Sequence, residues 1–265
     1  MIPKVIHYIW FGGKPLTPLA DKCINSWKVF CPEYKIVRWD ESNFDINANR
    51  YCREAYDTQK WAFASDYARL WVLVNYGGIY MDTDVELLKP LDEFLGEQAF
   101  SGFEAADRIP TGLMASEANH PLFRELLSEY DSRTFVLPDG SLDTRTNVES
   151  ITRKCLMHGL RLNNQKQKVA GFTLYPSEFF CPKDSKTLEL NLTCNSAAIH
   201  HFDGSWLSDS TKKVKSIKQS ILKKSPRIPS WICGPLANMM YLLNTGDFAH
   251  LRRLIASKAD RYYRG

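Results

Sequence analysis

One stretch constrains the fold more than any other. Ala62–Tyr76 is apolar at helical spacing, with Phe63, Tyr67, Leu70, Leu73 and Val74 on one stripe. Gly77-Gly78 supplies a positive-φ exit, Ile79–Met81 reads as a short strand, and Asp82-Thr83-Asp84 stands at its mouth. A helix, a glycine stop, a buried strand and then a loop is the grammar of an α/β sheet. Side chains at i and i+2 of a strand share a face, so Asp82 and Asp84 point the same way. Adjacent anions repel unless a cation lies near them, and hard oxygen donors suit Mg²⁺ or Mn²⁺, ions commonly shared with a substrate's phosphates. An isolated D-x-D is most often a solvated turn. A D-x-D at a strand-to-loop switch sits where open α/β sheets place ligands.

The rest of the chain supports that frame. Lys4–Trp10 reads as a buried strand, Pro18–Phe30 as a helix with Leu19, Cys23 and Trp27 on its stripe, and Lys35–Trp39 as a second strand. This is a βαβ opening with the composition of a parallel sheet. Phe100–Phe103 and Thr111–Ala115 read as further strands, Pro121–Tyr130 as a helix, and Asp131–Thr146 as polar loop. Val148–His158 reads as a helix, with short strands at Thr173–Tyr175 and Ala197–His201. Thr211–Lys224 is a basic amphipathic helix, Trp231–Leu243 an apolar segment interrupted by Gly234-Pro235, and Phe248–Ala259 a final short helix.

Bulk properties exclude several classes. At 265 residues with 44% hydrophobic and 24% charged, the chain has ample material for a core, and disorder is not the default. Seven cysteines, an odd number without a CxxC pair, argue against a zinc ribbon or a disulfide framework; free thiols in a reducing cytosol are the simplest account. The first residues lack the pattern of a signal peptide, and no apolar run is long enough to span a bilayer. A cytoplasmic protein is expected. Net charge is +4 but unevenly spread: residues 207–265 hold twelve Lys/Arg against three Asp/Glu, a balance of +9, which leaves −5 on the first 206. The expected domains are a catalytic region over 1–206 and a helical basic extension over 207–265 packed on it. Such a tail suits peripheral contact with the inner face of an anionic membrane, and no nucleic-acid partner is expected.

Other residues carry chemistry more ambiguously. Asp66 and Arg69 lie at i and i+3 on the long helix: either a plain intrahelical ion pair, or a half-buried pair beside the core whose guanidinium faces a diphosphate. In Ala197–Trp206 the consecutive His200 and His201 fall on opposite faces of a strand, so alternation does not decide which of them completes a two-carboxylate metal site. Trp10 closes the first strand, where an indole either packs in the core or stacks on a base. Trp206 either caps a sugar ring or covers the core.

Together, Ile2–Gly12, Phe63–Arg69 and Gly77–Glu86 resemble the DXD-containing sugar transferases of glycosyltransferase family 32, among them capsule and O-antigen enzymes and yeast-type initiating mannosyltransferases. The catalytic domain of the large clostridial glucosylating toxins is similar at the same motifs. The resemblance covers about the first 115 residues and returns at His200–Trp206. It implies an α/β GT-A fold with a Rossmann-like nucleotide-binding sheet, a mixed acceptor-side region and a helical basic tail. It further implies a Mn²⁺ or Mg²⁺ ion and sugar transfer with retention at the anomeric carbon. Carried onto this chain, Trp10 stacks on the base, Asp66 and Arg69 contact the donor sugar, Asp82 touches ribose and sugar, and Asp84 binds the metal directly. His201 stands where related enzymes place a late metal ligand, so Asp82, Asp84 and His201 form the expected metal set; Trp206 matches an active-site tryptophan loosely. The expected reaction moves a hexose from a nucleotide-sugar, UDP-hexose first and GDP-mannose second, to a lipid-linked glycan acceptor in surface polysaccharide synthesis. A metal-dependent phosphodiesterase or nucleotidyltransferase, and a glycan-binding module without catalysis, are the competing classes.

Overall fold

The computed structural model describes residues 1–204, 209–225 and 228–245. Trp206 and the Phe248–Ala259 helix expected from sequence lie outside the described residues. The chain divides into two compact units, Met1–Asp184 with Leu190–Trp206, and Ser185–Glu189 with Leu207–Gly265.

The first unit runs β1 (Val5–Ile9), α1 (Pro18–Phe30), β2 (Lys35–Trp39), α2 (Arg50–Asp57), α3 (Trp61–Tyr76), β3 (Gly78–Met81) and β4 (Val85–Leu87). It continues through β5 (Ala99–Gly102), β6 (Leu113–Ser116), α4 (Pro121–Ser128), α5 (Asn147–Met157), β7 (Gln167–Val169), β8 (Phe172–Tyr175), the single turn α6 (Ser177–Phe180) and β9 (Ala198–His200). Seven strands form one sheet in the order β2-β1-β3-β6-β5-β8-β7, and β4 with β9 forms a separate two-stranded ribbon. The sheet is mixed: β2, β1 and β3 are parallel, β6 runs antiparallel between β3 and β5, β8 is parallel to β5, and β7 is antiparallel to β8. The α/β class expected from sequence is observed.

Local sequence explains the elements that matter. Thr17 caps α1 by accepting from Ala20 N–H, and Pro18 opens the helix where its missing N–H costs nothing. At the end of α3, Gly77 and Gly78 have φ of 65° and 94°. A Cβ on Gly77 would lie 2.7 Å from Ala118 N, and one on Gly78 2.7 Å from Val5 O, so both conformation and space demand glycine. β3 then alternates: Tyr80 enters the core with Tyr67, Leu70 and Leu73 of α3, while Ile79 and Met81 enter the opposite core with Cys23 and Trp27 of α1. Helices thus cover both faces.

The order β2-β1-β3 positions the site. From β1 the chain steps outward to β2, then returns to the other side of β1 as β3. The strand order reverses between β1 and β3, and such a reversal opens a crevice beyond the carboxyl ends of the strands. Trp10 follows β1 and Asp82 follows β3, so both lie on that edge.

Three details were not legible in sequence. β7 and β8 form a hairpin whose turn residues, Ala170 and Gly171, both have positive φ (47° and 80°), a turn that an Ala-Gly pair signals weakly. In the second unit, α7 (Asp209–Lys224) and α8 (Ser230–Thr245) pack against each other. The helix of α8 passes through Pro235 instead of breaking at Gly234-Pro235. Proline removes one N–H from the ladder there, and the Leu, Ala and Met that follow restore helix propensity.

His7, buried in β1, ties the sheet to the Gly-Gly stop. Its Nε2 lies 3.0 Å from Gly77 O, and Trp39 Nε1–H donates to Nδ1 at 3.1 Å. Those partners assign the neutral Nε2–H tautomer. Burial lowers its pKa to about 4, against the raising effect of the Gly77 carbonyl. A base with a depressed folded-state pKa contributes stability above its unfolded value of 6.5, and that stability is lost as pH falls toward 4. In urea titrations, the drop in unfolding free energy between neutral pH and pH 4 should be about 3 kcal/mol smaller in His7→Gln than in the native chain. Equal drops would show that the folded chain protonates His7 freely.

Candidate active site

The site grows from α3, β3 and the ribbon. Asp66 and Arg69 are both buried on α3, at 8% and 6% exposure, which removes the solvated ion-pair reading. Arg69 Nη2 lies 3.3 Å from Asp66 Oδ1, and Nη1 lies 3.4 Å from Asp82 Oδ1. Nη1 also donates to Thr111 O and Thr111 Oγ1, each at 3.0 Å, and Cζ stands 4.7 Å over the Tyr80 ring. Burial disfavours the guanidinium charge, and the carboxylates of Asp82 and Asp66 with the Tyr80 ring outweigh it, so its pKa is raised. Asp66 is pushed up to about 6 by burial, with Arg69 acting in the opposite sense. Its remaining oxygen accepts from Asn147 N–H at 3.3 Å, while Asn147 Nδ2 donates to Asp66 O at 2.6 Å.

Asp82 leaves β3 with its N–H donating to Gly112 O at 2.7 Å and its Oδ1 accepting from Tyr80 O–H at 2.6 Å. That leaves Oδ2 turned toward Gly112, where a Cβ would meet it at 3.2 Å. Antiparallel pairing of β4 with β9 sets Val85 opposite His200 and brings the end of β9 beside Asp84. His200 Nε2 lies 3.2 Å from Asp84 Oδ1, and Asp203 N–H donates to Asp84 Oδ2 at 2.9 Å. Phe202 covers the imidazole with ring centroids 4.1 Å apart.

One ligand atom from each of Asp82, Asp84 and His200 lies within 4.8 Å of the other two, the one such cluster among the described residues. The structure therefore puts His200, not His201, with the acidic pair. His201 Nε2 lies 2.8 Å from Glu86 Oε2, which also accepts from Lys22 Nζ at 2.7 Å. The ribbon's register decides between the two histidines, and no single-strand pattern contains it.

The three residues fit a divalent cation. The set is two carboxylates and an imidazole, suited to Mn²⁺ or Mg²⁺. His200 Nδ1 is buried without a hydrogen-bond partner. Gly112 leaves open a cradle that a side chain would fill, since a Cβ there would stand 2.7 Å from His200 Cε1. Burial penalises the charge on both His200 and Asp84, but their mutual attraction prevails: the imidazole is raised well above its ordinary value and the carboxyl is held down at about 2. The cluster is thus already organised as a charge pair that a cation would replace.

Trp10 is half-buried on the same edge, its indole N–H donating to Lys14 O at 2.6 Å. Thr111, Gly112, Tyr80 and Asn147 were not singled out from sequence. Tyr80 lies inside Gly77–Glu86, and Gly112, a glycine just before β6, is the local signal of a close approach.

Residues 18–101 match the family model described as the glycosyltransferase sugar-binding region containing the DXD motif. An uncharacterised glycosyltransferase of Acanthamoeba polyphaga mimivirus is 27% identical over 226 residues, covering 78% of this chain and 84% of its own length. Inositol phosphoceramide mannosyltransferase 3 of Schizosaccharomyces pombe is 29% identical over 133 residues, covering 48% of this chain and 36% of its own. This chain thus spans most of the viral relative and about a third of the fungal one. Among solved structures, the galactosyltransferase LgtC with donor and acceptor sugar analogues is 14% identical, with a TM-score of 0.41 over 85% of this chain and 98% of that one. The chain is a glycosyltransferase. A nucleotide-sugar donor and a divalent ion follow from the DXD-containing class.

Gly112→Ala tests the cradle directly. The added methyl collides with His200, so Mn²⁺ should stabilise this variant in thermal-shift titrations with an affinity at least about tenfold weaker than for the native chain, a size typical of disturbed ligand surroundings. The same collision lowers the metal-free unfolding temperature, so the Mn²⁺ response of each protein is read against its own metal-free value. Unaltered Mn²⁺ affinity would place the ion elsewhere.

Proposed function

We propose that this glycosyltransferase moves a hexose, with retention at the anomeric carbon, from a nucleoside-diphosphate hexose to a lipid-linked glycan acceptor of a surface polysaccharide on the cytoplasmic side. The observation that carries this reading is the Asp82–Asp84–His200 cluster joined to buried Arg69 through Asp82, at the switch point between β1 and β3.

Asp82, Asp84 and His200 would hold the cation. A divalent ion supplies charge neutralisation to a departing diphosphate. Arg69 adds a fixed positive charge beside the cluster, oriented in advance by Asp66, Asp82 and Thr111, so it needs no reorganisation as leaving-group charge develops. Asp66 is a poor covalent nucleophile. Arg69 takes one of its oxygens and Asn147 the other, and burial raises its pKa. That supports attack by the acceptor hydroxyl on the face the diphosphate leaves, with the departing phosphate oxygen taking the proton. Trp10, on the same edge, is suited to stacking on the base.

The sequence resemblance put UDP-hexose first. The fungal relatives named for mannosyl transfer favour mannose, and with it the GDP-mannose alternative. A donor panel with Mn²⁺, followed by chromatography of the released nucleotide, decides between them and should show the nucleoside diphosphate. Release of the monophosphate would assign the site to phosphodiester cleavage instead. Arg69→Lys keeps the charge but loses the planar fork, and should lower kcat/KM about a hundredfold. A variant as active as the native chain would remove Arg69 from the reaction.

A further inference from the structure

The second unit carries a surface that the site chemistry leaves unused. α8, sixteen residues long, contains no Asp, Glu, Lys, Arg or His. Cys233, Ala237 and Leu242 are buried, and Cys233 Sγ lies 3.7 Å from Lys218 O of α7, so one side of α8 faces its partner helix. Another side carries Ile232, Leu236, Met239, Met240 and Leu243 at i, i+4, i+7, i+8 and i+11, one continuous stripe. Leu236 is half-buried, and the other four are between 39% and 49% exposed. A helix that is apolar on both its packed and its open side, without a single charge, is an unusual thing to present to water.

The charge lies on the neighbouring helix. α7 holds Lys212, Lys213, Lys215, Lys218, Lys223 and Lys224 against a single acidic residue, Asp209. Its own apolar residues, Val214, Ile217, Ile221 and Leu222, are half-buried.

We propose that this two-helix unit docks on an anionic bilayer surface, with the α8 stripe set into the boundary between head groups and acyl chains and the α7 lysines on the lipid phosphates. Charge selects this occupant. A second copy of the chain would bring the same excess of lysine to the contact and be repelled, whereas an anionic surface attracts each nearby lysine and accepts the apolar stripe in the same contact. Docking here is interfacial: α8 rises about 24 Å, short of the ~30 Å hydrocarbon core, and no described helix is long and apolar enough to cross a membrane.

The test is sedimentation of the full chain with phosphatidylcholine vesicles that do or do not contain phosphatidylglycerol. The native chain should pellet with the anionic vesicles, and added NaCl should release it. Met239→Glu/Leu243→Glu should lower the partition coefficient by about tenfold or more. Lys213→Glu/Lys223→Glu/Lys224→Glu should remove the preference for anionic vesicles while leaving α8 untouched, so the idea does not depend on one variant folding. Both variants should keep native donor turnover, because neither changes a residue of the catalytic cluster; absence of turnover in the native chain would count against the enzymatic reading and not against this one. Unchanged partition of the Met239/Leu243 variant, or a native chain that stays in the supernatant with both vesicles, overturns the proposal. So does a dimer in size-exclusion chromatography that the Met239/Leu243 variant dissolves, which would assign the stripe to contact between copies.

Discussion

Arg69 is the interaction on which the catalytic unit depends. It is a buried cation on α3 that meets Asp66 one turn back, Asp82 beyond β3, and Thr111 before β6. Desolvating a guanidinium is costly, and only a complete set of partners offsets the cost. Those partners come from three separate chain segments, so one side chain fixes the distance between the helix, the central strand and the loop carrying Gly112. Removing one member of such a buried pair typically destabilises by about 3–5 kcal/mol. The constraint that holds the fold together here also fixes the charge facing a leaving group.

The Asp82–Asp84 pair shows how local and long-range order divide the work. The sequence motif puts two carboxylates on one strand mouth, and nothing more. Gly112 leaves room beside them, and β9 returns from more than a hundred residues away to bring His200. Tyr80 and Arg69 occupy Oδ1 of Asp82, which leaves Oδ2 for the open side. Asp84 is held through Oδ2 by Asp203 N–H and turns Oδ1 to His200, so both carboxylates are fixed in place in advance, which is preorganisation in a physical sense.

Much of this was legible from residue order. The helix, glycine stop, strand and acidic tripeptide all appear where the pattern put them, because helix periodicity and positive-φ glycines are local signals. Asp66 and Arg69 stand out as a pair, but i and i+3 spacing is the same for a solvated pair and a buried one, so residue order leaves both readings open. His200 and His201 could not be separated, because alternation fixes only which faces they occupy relative to each other. The cross-strand register of β4 with β9 decides, and it is a property of two segments together. Thr111 and Asn147 were missed for the same reason: their partners lie 42 and 81 residues away.

The ribbon also explains why two adjacent histidines are both used. Asp84, just before β4, and Glu86, within it, stand two residues apart; His200 at the end of β9 meets Asp84, and His201 just after it meets Glu86. Glu86 is further anchored by Lys22 of α1, which fastens the ribbon to the helix layer on that side of the sheet. His201 is therefore suited to holding β9 in register, which in turn keeps His200 against Asp84. A slip of one residue would turn the side chains of β9 to the other face and carry the cluster's third donor away from Asp82. These two side-chain contacts thus select the register on which the cluster depends.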